Sequence, residues 1–347
     1  MDRDKINNIL RKLDYTSERT VTVFGDFCLD KYLYTDEKRD ELSLETGRTA
    51  YQIHRKCLYP GAAGTVTNNL RAMGAKVYCV GLCGEDGEGF ELLKLLEKNG
   101  ADTRFMVMDE GIQTSTYIKL MRKEGAGDYH EMNRIDMKNF KQTAQRLEER
   151  LLQSLEKALV LSDGVVVLDQ FLERNCSTVT DRIRKGLEEL GEKYPEKFFY
   201  ADSRGFSDCY RGMIIKCNQY EVVRAVGKEK DDPEELNTII RCGKALSQMS
   251  RKPVVVTMGI DGACVIDKDT VTKVPAFHVE GPIDIVGAGD ATNAGIVLGL
   301  SLGLTLPEAV LLGGCISSVT IQQIGVTGVA SVEKVKERME EKQKFCM

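Results

Sequence analysis

Histidine is scarce in this chain. There are three, His54, His130 and His278, far apart in sequence, which argues against a histidine-built metal site or a catalytic triad. No apolar run approaches the length needed to span a bilayer, so no membrane partner is expected. The opening MDRDKINNILRKLDY is charged and amphipathic and lacks the apolar centre of a secretion signal. Eleven cysteines are scattered without a C-x-x-C pair, and an odd number suits neither a zinc ribbon nor a disulfide framework. Reduced, mostly buried thiols and a cytoplasmic location are the expectation. G-x-x-x-x-G-K-[ST] is missing, which excludes a P-loop. No internal repeat or low-complexity tract occurs. The net charge of −5 comes from acids and bases mixed along the chain, so nucleic acid is not an expected partner.

What is present is an ordinary globular composition, 42% hydrophobic and 29% charged, over 347 residues, enough for a sizeable core. Short apolar runs alternate with helical patterns. TVTVFGD (20–26), KVYCVGL, DGVVVLD (163–169), KFFYAD (197–202), GMIIKCN (212–218), KPVVVTMG (252–259) and GACVID (262–267) read as strands. AGTVTNNLRAMG (63–74), DGEGFELLKLLEKNG and stretches near 174–190, 288–302, 306–323 and 331–345 read as helices. Continuous apolar strands between helices predict an α/β fold with a mainly parallel sheet covered on both faces. Two more polar, alternating stretches, 31–59 and 104–136, interrupt this rhythm. They are either edge hairpins or a small β lid over the carboxyl end of the sheet, where open α/β folds bind ligands; the lid is the reading adopted.

DIVGAGDATNAG (284–295) places Gly287, Ala288 and Gly289 ahead of a lone acid, Asp290, at the mouth of an apolar helical pattern. Closely spaced glycines let backbone N–H groups approach a ligand, and a helix start favours an anion. Asp290 is then either an N-cap or a base working beside a bound anion. In NQYE, Asn218 and Glu221 stand one helical turn apart, a helix-capping pair or a holder of Mg²⁺ through water. TMGIDG, with Thr257, Gly259 and Gly262, is a β-turn or a backbone surface for phosphates. GDFCLD sets Asp26 and Asp30 at the end of the first strand, where hydroxyl-rich ligands could be held.

In this order, these motifs resemble the ribokinase-like PfkB family of carbohydrate kinases, from near residue 20 to near 335. DIVGAGDATNAG is similar to the family's D-T-x-G-A-G-D-x-F-x-A-G, Asn218 and Glu221 to its N-x-x-E, and Thr257, Gly259 and Gly262 to its T-x-G-x-x-G. PGAAGTVTNNLRAMGAKVYCVGLCGEDGEG stands for its N-terminal glycine signature. Within the family, GDFCLDKYLY, ADSRG and IIKCNQYE look most like kinases of heptose 7-phosphate. The chain departs from the family pattern in four places. Ala62 replaces the second of two glycines, Thr65 an asparagine, Ile285 a threonine and Thr292 a phenylalanine.

The resemblance implies one ribokinase-like domain over 1–347, with lid segments near 31–59 and 104–136. It also implies ATP-dependent phosphorylation of a hydroxyl on a sugar or sugar phosphate. Asp290 would be the general base, and the backbone N–H groups of Ala288, Gly289 and Asp290 an anion hole. Asn218, Glu221, Thr257, Gly259, Gly262 and Gly325 would serve ATP and Mg²⁺, with Glu221 acting on the metal through water. Asp284 and the loop around Gly325–Gly328 would serve a monovalent cation such as K⁺. Asp26, Asp30, Gly61, Ala62, Thr65, Thr116 and Asp169 would line the acceptor pocket. Arg204 is either a positive charge near the phosphates or a surface residue, and Arg134 is the expected contact to an acceptor that already bears a phosphate. A homodimer clasped through the lids is implied. The alternatives are a nucleoside kinase on the same fold and a catalytically idle sugar-binding regulator.

Overall fold

The strand Gly164–Asp169 shows how the architecture arises. Its six residues are all buried, and they divide by alternation between two cores. Val166 and Leu168 join one core, with Val21 and Val23, Leu70, Ile296 and Leu312. Val165 and Val167 join the other, with Leu151, Ile183, Ile239 and Val256. A strand apolar on both faces requires helices on both sides, and they are there. The computed structural model describes residues 3–125, 127–325 and 327–344.

Eight strands form the central sheet, in spatial order Thr270–Val274, Ala263–Asp267, Val254–Thr257, Ile214–Asn218, Phe198–Ser203, Gly164–Asp169, Thr20–Gly25 and Lys76–Val80. The strands from Val254–Thr257 to Lys76–Val80 run parallel. Ala263–Asp267 and Thr270–Val274 close the far edge antiparallel.

The expected lid is a four-stranded sheet in the order Tyr129–Met137, Thr116–Lys123, Phe27–Asp36 and Ile53–Ala62. Phe27–Asp36 leaves the central sheet directly after Thr20–Gly25. It pairs antiparallel with Ile53–Ala62 and parallel with Thr116–Lys123. Lys31 binds Glu88 and Glu91 on the helix Gly87–Lys98 at 2.8 and 3.6 Å, which ties that face of the lid to the body. By alternation, Asp30, Tyr32 and Tyr34 look the other way.

The structure differs from expectation in places. The second lid segment begins at Thr116, since Val107–Asp109 instead pairs with Leu82–Gly84. The helix placed near 174–190 runs from Asp181 to Lys193, because the Thr180 hydroxyl caps it by accepting from the Ile183 N–H at 3.2 Å. Helices Gln145–Val160 and Leu236–Ser250 add to those expected. Among the described residues, no helix is long and apolar enough to cross a membrane.

Candidate active site

Asp290 lies in the first turn of the helix Ala288–Ser301, which starts at Gly287 in the left-handed conformation, φ +80°, with no side-chain cap. The Ala288 N–H donates to the Ile285 carbonyl at 3.1 Å, so it is spent within the turn and is not free for an anion. The N–H groups of Gly289 and Asp290 have no partner among the described residues, and they form the exposed part of the helix start. A side chain at position 289 would point at Lys216, whose Nζ would stand 3.4 Å from its Cβ. The ammonium group therefore lies against the same helix start.

Lys216 is buried in the strand Ile214–Asn218 and donates to Asp202 Oδ2 at 3.0 Å. Asp202 also accepts from Asn293 Nδ2, and Asn293 Oδ1 accepts from the Tyr200 hydroxyl at 2.8 Å. This line of buried polar groups ends beside Asp290. Burial raises the Asp290 carboxyl to about 7 and the Asp202 carboxylate pushes the same way, against the opposing pull of Lys216 and Arg204. Asp30 adds a smaller upward push. Four charged groups, from three strands and the turn that follows Phe198–Ser203, therefore act on one half-buried carboxyl. Asp202, Lys216 and Asn293 were missed by the motif reading, although a lysine inside the buried run IIKCN is itself an anomaly in sequence.

Asn218 and Glu221 form a capping box on the helix Gln219–Ala225. Asn218 Oδ1 accepts from the N–H groups of Tyr220 and Glu221 at 3.0 and 2.9 Å, and Glu221 Oε2 accepts from the Asn218 N–H at 2.8 Å. Glu221 is raised by burial and by Asp202, so it belongs to the same electrostatic cluster. Gly259–Asp261 is a single 3-10 turn between the strands Val254–Thr257 and Ala263–Asp267, and Ile260 on it is 92% exposed. Asp284 and Gly325, 41 residues apart, meet as expected: Asp284 Oδ2 accepts from the Gly325 N–H at 3.1 Å. Val326, inside that loop, lies outside the described residues.

The acceptor side holds fewer of its expected residues. Gly61 faces Asp30 across the strands, and a Cβ there would come within 2.5 Å of Asp30 Oδ2 and 2.7 Å of Cys28 Sγ. Glycine is thus what lets Asp30 stand beside its neighbouring strand. Asp30 is raised by burial, and Lys119 and Arg134 pull it back. Thr65, from the helix Ala63–Ala72, is near enough that its Cγ2 would be 3.7 Å from a Cβ on Gly287. Ala62 joins lid strand to helix.

Three expected acceptor contacts are turned inward instead. The Asp26 carboxylate is 1% exposed and accepts the N–H groups of Gln170, Phe171 and Thr178, so it holds a loop. Thr116 is fully buried and its hydroxyl donates to the Thr114 carbonyl. Asp169 is held in the interior by Arg184, Ser203 and Tyr210. Backbone groups take the Asp26 and Thr116 oxygens and core groups take Asp169 Oδ2, while Asp169 Oδ1 is buried without a partner among the described residues. Arg134 is on the lid, half-exposed and bidentate to Asp136 at 2.7 and 2.8 Å. Lys119, its cross-strand partner, went unnoticed in the sequence; it donates to the Tyr32 hydroxyl and lies 3.9 Å from Asp30.

The model of the pfkB family of carbohydrate kinases matches residues 18–333. The chain belongs to that family. It is accordingly a carbohydrate kinase with the ribokinase-like α/β fold. Among curated proteins, the bifunctional protein HldE of Wolinella succinogenes is 27% identical over 310 residues, covering 88% of this chain and 62% of that protein. HldE of Hyphomonas neptunium is 27% identical over 326 residues, covering 93% and 64%. The chain therefore spans less than two thirds of the length of these relatives. Among solved structures, phosphofructokinase-2 from Escherichia coli in complex with substrates and products superimposes with a TM-score of 0.69 at 16% identity, covering 93% of this chain and 99% of that one. A putative phosphofructokinase from Staphylococcus aureus gives 0.70 at 17% identity, covering 92% and 96%.

Proposed function

We propose that this kinase transfers the γ-phosphoryl group of ATP to a hydroxyl of a sugar or sugar phosphate, with Asp290 as general base. The observation that carries this is the cluster at the helix start: a carboxyl raised to about 7, two unpartnered amides and a buried ammonium group. A base is most effective with a pKa near working pH, and two free N–H donors with a lysine suit the anion being transferred. The acceptor oxygen attacks the γ-phosphorus, its proton passes to an Asp290 oxygen, and the bond to the ADP oxygen breaks. Lys216 and the amides of Gly289 and Asp290 hold the migrating group. Arg204, within electrostatic reach of Asp290, adds positive charge near the phosphates.

Among the described residues, no group of three or more potential ligands could hold a metal ion by itself. That fits Mg²⁺, which keeps its waters and leans on one or two carboxylates plus substrate phosphates. Glu221 is the carboxylate suited to order such a shell, and the ion would neutralise phosphate charge. Asp284 with the Gly325 loop is suited to a monovalent cation. Ten described cysteines are free thiols, in keeping with a cytoplasmic protein.

For the acceptor, Lys119 and Arg134 give the lid side of the pocket a positive end near Asp30. This favours a sugar that already bears a phosphate, as the likeness to heptose 7-phosphate kinases implies. The test is acceptor-dependent ADP release across free sugars, sugar phosphates and nucleosides. We expect higher kcat/KM for a phosphorylated sugar than for its free counterpart, and a raised KM for the former alone in Arg134→Ala. Equal use of both forms, or best use of a nucleoside, would reject this acceptor.

A further inference from the structure

Asp169, one of the displaced acceptor contacts, lies at the centre of an arrangement that the chemistry above leaves unused. It ends the strand Gly164–Asp169 and lies in register with Ser203, the end of the next strand. One carboxylate oxygen, Oδ2, accepts three hydrogen bonds of 2.8 Å, from Arg184 Nη2, Ser203 Oγ and Tyr210 Oη. The Arg184 and Asp169 side chains are only 3% and 1% exposed. Keeping an ion pair so deep is a poor route to stability, because a well-packed apolar pair of similar volume often does as well or better. Such a pair does dictate geometry.

The geometry it dictates is that of one turn, 203–206. The Arg204 N–H donates to the Asp169 carbonyl at 3.0 Å. Ser203 Oγ, itself bound to Asp169, accepts from the Phe206 N–H at 3.0 Å. The Arg184 guanidinium stacks over the Phe206 ring, 4.6 Å from its centroid. The turn is pinned before and after Arg204, whose side chain stands exposed within electrostatic reach of Asp290 and of Tyr117 on the lid. Arginine has many rotamers to lose, so fixing its backbone root narrows the volume its guanidinium explores. We propose that Arg184, Asp169, Tyr210 and Ser203 form a buried positioning network that aims Arg204 at the transferred phosphoryl group without touching the reactants. The proposal rests on the reading of Arg204 given under Proposed function.

Tyr210→Phe removes one donor to Asp169 and keeps the ring. We expect kcat to fall about 3- to 10-fold, with KM for ATP and acceptor within about twofold of the parent. In an Arg204→Ala background the same substitution should change kcat by less than about twofold, since the network then has nothing to aim. Hydrogen exchange at the Arg204 and Phe206 amides should quicken in Tyr210→Phe. Ser203→Ala, which loosens the turn from its other side, should repeat the pattern. The proposal is overturned by an equal kcat loss in both backgrounds, by a silent Arg204→Ala, or by unchanged exchange at those amides. A parent inactive on every acceptor would instead strike the functional reading, and the exchange measurement would still decide the network.

Discussion

Asp290 is a carboxyl whose surroundings work against its charge, and this has two measurable consequences. As a base it should be indispensable. Asp290→Asn, nearly isosteric, should lower kcat by roughly 10²–10⁴-fold while ATP still binds. A variant within a few-fold of the parent would remove Asp290 from the base role. The parent's kcat/KM should climb as pH rises through about 7, where Asp290 loses its proton. The same shift sets a stability difference. A carboxyl that keeps its proton to about 7 when folded, against 3.8 for the ordinary group, favours the folded state fully below the unfolded value. That contribution is lost as pH climbs through 7. Asp290→Asn should therefore melt higher than the parent at pH 8 and alongside it at pH 4. Equal Tm values at pH 8 would show that the carboxylate is not penalised by its site. At this scale the motif residues were legible in sequence, because their spacing encodes a turn and a helix start. The direction a carboxylate takes was not: Asp26 follows the strand Thr20–Gly25 and Asp30 lies four residues on, inside the lid strand Phe27–Asp36, yet only Asp30 faces the site.

Among the elements, the junction between lid and body is the most revealing. Ala62 ends the lid strand Ile53–Ala62 and precedes the helix Ala63–Ala72 with φ +51° and ψ −116°. That is the first central position of a type II′ turn, a place for glycine. A methyl group held there stores strain, and the glycine expected from the family pattern would release it. We expect Ala62→Gly to raise stability by about 1 kcal/mol, the strain relieved being partly offset by the extra freedom of an unfolded glycine. Urea denaturation with unchanged slope measures this; a lower midpoint would mean that the alanine is not strained. Most strands and helices could be read from periodicity and glycine stops. The helix Gln145–Val160 carried an equally clear signal, Leu147, Leu151, Leu155 and Leu159 on one face, overlooked between the lid and the next strand. The antiparallel edge at Thr270–Val274 could not be read, since TVTKV alternates without saying which neighbour it pairs with.

For the whole molecule, two cores divided by one sheet leave the lid as the part that buries little. Its open side carries Tyr34 with Arg55 stacked 3.6 Å from the ring centroid, and Tyr129 edge-on at 5.1 Å. Its outer hairpin, Glu41–Leu42 with Thr49–Ala50, adds Leu42 and Leu44, and Ile53 and Ile135, on the two opposite edge strands of the lid, are also exposed. Exposed apolar side chains collected on one small sheet mark a contact surface, and a surface joined to its own copy closes by a two-fold axis. We therefore expect a homodimer through the lids, sedimenting at micromolar concentration with twice the 38.7 kDa mass of the chain. Leu42→Asp combined with Leu44→Asp should cost little fold stability, because both side chains are exposed in the single chain. It should shift the protein to monomer. It should also raise the acceptor KM, since Asp30, Lys119 and Arg134 sit on strands that dimerisation would steady. A parent that sediments as a monomer would reject the lid contact, and a monomeric variant with the parent's acceptor KM would show that the lid holds its acceptor groups unaided.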